Sequence, residues 1–161
     1  MDFCSIEFAA INAEALIRTR TLFEQVRLSK EKGQPLGDAA FSSALSDAER
    51  SFFWAPSKEE RAEWNAVWLA TPVPERHRMP RPQWDMGSML DSLADGEYVL
   101  IGIEERDGSQ HLLFDPQAHP FGGTGCMTAF LECFGHAIIS VNDGTGRVTY
   151  VPRPIWKRKQ S

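Results

Sequence analysis

The sequence has no apolar run approaching the ~18 residues that a membrane-spanning helix needs. It also has no Cys-x-x-Cys spacing and no His-x-His or His-x-x-x-His pair. The first absence excludes a helical membrane protein. The others remove the close ligand spacing by which a zinc site is read from sequence, so no metal and no cofactor are expected. Cysteine is scarce: Cys4, Cys126 and Cys133 are an odd number for a disulfide framework. Cys126 and Cys133, seven positions apart on one helix, would stand about 10.5 Å apart along its axis, too far to bridge. Reduced thiols are expected. Positive charge is missing where a secretory leader carries it, at Asp2, and no long apolar stretch follows. The expectation is a cytoplasmic protein without membrane contact.

What is present is a folding composition. Over 161 residues, 42% hydrophobic and 24% charged side chains exclude a disordered acidic chain. One core suffices at this length, so a single domain is expected. Four of the 17 cations, Arg153, Lys157, Arg158 and Lys159, lie in the last nine residues, so the net charge of −5 becomes −9 without them. An acidic body argues against general nucleic-acid binding.

The pattern divides the chain into a helical part at 1–70, a Pro/Arg-rich connector at 71–84, a ββαββ part at 85–154 and a basic tail at 155–161. Phe8, Ile11, Ala15, Leu22 and Val26 recur at helical steps and predict a first helix from Ser5 to Lys30, stopped by Gly33 and Pro35. Asp38 opens a second helical segment. Ser46-Asp-Ala-Glu49 and Ser57-Lys-Glu-Glu60 have the form of a helix-capping box, and the second starts a helix over Lys58–Ala70. The connector holds Pro72, Pro74, Pro80 and Pro82, which remove amide donors and predict extended backbone, neither helix nor central strand. A brief helix over Asp85–Ala94 follows.

Asp107-Gly108 and Asp143-Gly144 sit between apolar runs and predict two hairpins, since Asp-Gly readily adopts positive φ. Between them, Met127, Phe130, Leu131 and Phe134 form a helical stripe ended by Gly135. The fold class is therefore α+β, with N-terminal helices packed on a four-stranded, mainly antiparallel ββαββ sheet. Tyr98–Ile103, apolar on both faces, is expected at the sheet centre. The last strand, running into Val151-Pro152, is expected at an edge.

Three groups of residues could carry function. Gly122, Gly123, Thr124 and Gly125 precede a helix in a connection longer than the usual 2–6 residues, and glycines before a helix N-terminus can cradle an anion. The plainer reading is a turn in which Thr124 caps the helix. Cys126 stands where a helix dipole favours thiolate, with His119, His136 or His111 as a base and Asp115 or Asp143 to orient it; the plainer reading is a buried structural cysteine. Arg76, Arg78 and Trp84 are candidate partner contacts, because tryptophan and arginine are enriched at binding hot spots. Here the plainer reading is that Trp64 and Trp68 seal a helix onto the sheet while Trp84 anchors the connector.

With no complete catalytic set, an acidic body and five tryptophans, the chain reads as a non-catalytic protein-binding, inhibitory or accessory protein. The competing reading is a small-molecule or anion-binding domain, or a cysteine-dependent enzyme, using the Gly122–Cys126 loop. Homo-oligomerisation stays open.

Overall fold

Ile6 and Phe8 alternate with Ser5 and Glu7, and this period of two, not the helical stripe beginning at Phe8, governs the N-terminus. In the computed structural model, which describes residues 3–118 and 122–159, β1 spans Cys4–Ala9. The helix expected from Ser5 starts only at Ala13, giving α1 over Ala13–Glu31. Asn12 fixes that boundary, since its side-chain oxygen accepts from the Ala15 amide at 2.8 Å.

There follow α2 (Asp38–Ser43), α3 (Asp47–Arg50), α4 (Lys58–Ala70), α5 (Met86–Asp95), β2 (Tyr98–Arg106), β3 (Ser109–Pro116), α6 (Gly125–Cys133), β4 (Ala137–Asn142) and β5 (Arg147–Thr149). The fold is α+β, and the sheet has five antiparallel strands rather than four. Its order is β2-β3-β1-β4-β5. Because β1 inserts between the two hairpins, it takes the central place expected of Tyr98–Ile103, and β2 moves to an edge. The other edge is β5, as expected of the last strand.

One face of the sheet presents Ile6, Phe8, Leu112 and Phe114 to apolar residues of α1, α2, α5 and α6. The opposite face is tied by Glu7, whose carboxylate accepts from Ser109 (2.7 Å), Ser140 (3.0 Å) and Arg147 (2.8 Å). These bonds, that of Ser109 foremost, hold its pKa below the usual carboxylate value, and they link β1 to β3, β4 and β5. Lys30 Nζ donates to the carbonyls of Leu93, Ala94 and Gly96 at 2.7–2.9 Å, closing the C-terminus of α5.

The connector is not extended throughout, since Val73–Arg78 form a 3-10 helix. Prolines at its start cost little, because first-turn amides have no acceptor within a helix; the Glu75 amide bonds back to the Pro72 carbonyl at 2.9 Å. The next residues are extended, and Arg81 forms an isolated parallel bridge with Ile155.

α4 corrects another expectation. None of its residues is buried, so Trp64 and Trp68 do not seal it onto the sheet. Their rings meet at a tilt (6.1 Å between centroids), and Trp64 meets Trp156 of the tail in the same way (5.3 Å). The helix was legible to the residue; its packing partner was not.

Candidate functional site: a tryptophan and arginine groove

The half-buried tryptophans of α4 meet the connector and the tail at a groove of about 880 Å³. Its walls include Trp54, Trp64, Trp68 and Trp84, and its cations are Arg78, Arg81 and Arg153. The aromatic faces are partnered by arginine. Arg76 lies 4.8 Å and Arg81 5.4 Å from the Trp68 ring centroid, and Arg61 lies 5.6 Å from that of Trp54. Such stacking suits a guanidinium, which is planar and weakly hydrated. Arg76 is further fixed by donating to the Thr71 carbonyl at 3.0 Å, and Arg78 reaches His77 Nε2 at 3.1 Å. Trp84 is anchored by its carbonyl, which accepts from the Trp54 amide at 3.0 Å. Among the described residues that line the groove, Asp85 is the one carboxylate.

Trp84 and Gly125 also border a smaller cavity of about 220 Å³, with Thr124, Glu132, Tyr150 and Arg153. Tyr150 donates to Glu132 at 3.0 Å, and burial pushes the Glu132 carboxyl above its ordinary value. The fold thus brings Arg78 and Trp84 to the groove, carries Arg76 on the groove's Trp68 ring, and places Thr124 and Gly125 on the adjoining cavity. No short-range pattern links these positions to Trp54, Arg81, Glu132 or Arg153. The one signal available was the number of tryptophans.

The glycine stretch has a packing role. Gly122 and Gly123 adopt φ of 101° and 81°, a region that favours glycine. A Cβ on Gly122 would come 3.4 Å from the Gly96 Cα, and one on Gly125 would come 3.4 Å from Trp84 Cζ2, so backbone and indole approach closely there. Thr124 occupies the cap position of α6, but its side chain makes no capping bond; its carbonyl accepts from Met127 and Thr128 at 3.0 Å.

Cys126 lies in the core, 2% exposed, with Sγ 3.3 Å from the Tyr98 hydroxyl. Burial raises its pKa, outweighing the helix terminus, the Tyr98 hydroxyl and the Lys30 cation. His119 lies outside the described residues. His111 sits with Glu7 on the opposite sheet face, 3.3 Å from Ser109. Asp143 accepts from Thr145 within its own turn (2.6 Å to the hydroxyl). Among the described residues, no three His, Cys, Asp or Glu side chains are placed to hold a metal, and no helix is long and apolar enough to cross a membrane.

His136 follows the glycine that ends α6 and stands as no base to Cys126 in the hydrogen bonds it makes. It is 4% exposed and joins β1 to α1: Nδ1 accepts from the Ile11 amide (3.1 Å) and Nε2 meets the Thr19 hydroxyl (2.8 Å), which donates to the Ala15 carbonyl (2.6 Å). An amide can only donate, so the ring is neutral with its proton on Nε2. Burial lowers its pKa below the ordinary histidine value. The unfolded chain then takes up the proton first, so this contribution to stability is complete above pH ~6.5 and is lost as the pH falls towards the folded value. Urea unfolding at pH 7.5 and 5.5 should show wild type losing more stability on acidification than His136→Gln. Equal losses would refute the assignment.

Comparison with known proteins found no matching family model, no similar curated protein and no similar solved structure.

Proposed function

We propose that this is a non-catalytic binding protein, of an inhibitory or accessory kind, that holds an acidic segment of a partner polypeptide in the tryptophan and arginine groove. The observation that carries this reading is that α4 buries none of its residues and instead lays its tryptophans, stacked with arginines, along an open groove. Tryptophan and arginine supply large contact area and planar hydrogen bonding at modest entropic cost, which is why they dominate interface energetics. Charge selects the partner's sign. Arg78 and Arg81 face the groove against Asp85, on a chain whose remainder is strongly acidic.

The rival readings at Gly122–Cys126 draw no support from a thiol held in the core or from a glycine filled against Trp84. The test is cross-linked capture from the source cell with the wild-type chain and with Arg78→Glu/Arg81→Glu. Charge reversal should weaken the partner by about a hundredfold, since like charges across an interface cost several kcal/mol. Equal capture by both chains would overturn the proposal.

A further inference from the structure

The tail is seated as a bound peptide would be. The Arg81 amide donates to the Pro154 carbonyl at 3.3 Å and the Trp156 amide donates to the Arg81 carbonyl at 2.8 Å, forming the parallel bridge. Trp156 lies against Trp64, and Arg158 Nε pairs with Glu63 at 2.9 Å. Neither Ile155 nor Trp156 belongs to the core cluster, and Val151 to Pro154 are exposed, so the segment can lift without opening the core. It separates the 880 Å³ groove from a second one of about 990 Å³, which shares Trp54 and Gln83 with the first and is walled by Glu60 and Glu63.

The fit is good at one end and poor at the other. Arg158 has its carboxylate, but Arg153, donating to the Pro82 carbonyl at 2.8 Å, stands among the groove's cations, where burial and the Arg81 charge both lower its pKa. An acidic residue at that position would turn the Arg81 repulsion into attraction, the effect of Arg81 there being larger than the opposing one of Glu132. We infer that Arg81 and α4 form a docking line for an extended peptide carrying an acidic residue, then an aromatic, then a basic one. The chain's own residues 153–158 occupy that line as a tethered, displaceable stand-in. This rests on the groove being the interaction surface, and it adds how the partner is held: backbone pairing gives affinity, and the side chains on either side of the aromatic give selectivity. A short tether gives the tail an effective concentration of order millimolar, so a free segment displaces it only by fitting better.

The test uses the full chain and fluorescent synthetic peptides of residues 152–159, one native and one carrying Arg153→Asp, with anisotropy as the readout. The substituted peptide should bind the Trp156→Ala chain about tenfold more tightly than the wild-type chain, because the stand-in has been loosened. It should also bind better than the native peptide, a preference that Arg81→Glu removes. Arg158→Ala loosens the tail by a second route and leaves Glu63 for the peptide, should Trp156→Ala fail to fold. No saturable binding to a folded loosened chain up to about 1 mM, equal binding to wild-type and loosened chains, or equal binding of the two peptides would each overturn the inference. If the peptides fail while partner capture stays sensitive to Arg78→Glu/Arg81→Glu, tail displacement falls and the groove reading stands.

Discussion

Phe8→Ala should remove about 3–5 kcal/mol of folding stability, a large part of the 5–15 kcal/mol typical of a native domain. Phe8 is fully buried in the central strand, between Gln110 of β3 and Ile138 of β4. Its ring lies 5.1 Å from that of His136, so truncation leaves a void where the sheet meets the ring that joins β1 to α1. Ile11, three residues on, is 59% exposed, and Ile11→Ala should change stability by no more than about 0.5 kcal/mol. A continuous helix from Ser5 would place both residues on one buried stripe and predict similar losses. Urea unfolding of the two variants therefore distinguishes strand from helix at the N-terminus, and equal effects would contradict the five-stranded sheet.

Glu49→Ala should cost about 2–3 kcal/mol. Breaking a buried ion pair costs 3–5 kcal/mol, and the figure is reduced here because a third of the Arg18 side chain reaches solvent. Glu49 itself is 6% exposed. Its carboxylate takes the Arg18 guanidinium and also accepts from the Ser46 amide at 2.8 Å, so the same group closes the capping box of α3 and ties α3 to α1. Burial pushes the Glu49 carboxyl up, but Arg18 and Ser46 outweigh it and hold the pKa below the ordinary value. The unfolded chain therefore protonates first, and wild type should lose this contribution as the pH falls below ~4.3. Glu49→Ala should show a shallower acid loss. A variant as stable as wild type at pH 7, measured by urea unfolding, would show that the pair contributes nothing.

Much of the secondary structure was legible because it is written locally. Ser57 begins α4 by accepting from the Glu60 amide (3.1 Å), Asp85 does the same for α5 from Ser88 (2.8 Å), and Gly135 ends α6 at a φ of 93°. Asp107-Gly108, both at positive φ, turns the first hairpin. Each signal needs only residues within four positions of one another. The misread elements are those for which two local signals compete or the deciding partner is remote. Phe8, Ile11 and Ala15 satisfy a helical period while Ile6 and Phe8 satisfy a strand period. Only pairing with β3 and β4, more than 100 residues away, decides for the strand.

The candidate site divides the same way. That tryptophan and arginine are concentrated in α4 and the connector is a property of the sequence, and it made Arg76, Arg78 and Trp84 candidates. That they face a groove depends on Trp156 reaching Trp64 and Ile155 bridging Arg81, contacts between segments about 70 to 90 residues apart. The same holds for Cys126. Its place at a helix start was readable, but its burial against Tyr98 depends on how α6 lies on the sheet. The sequence by itself determined the α+β class, the starts of α3, α4 and α5 and the hairpin turns, because capping and turn geometry are satisfied within one turn of chain. The tertiary structure alone decided the central strand, the edge position of β2 and the half-buried tryptophans of the groove, because burial belongs to the whole chain's packing and no window of neighbours contains it.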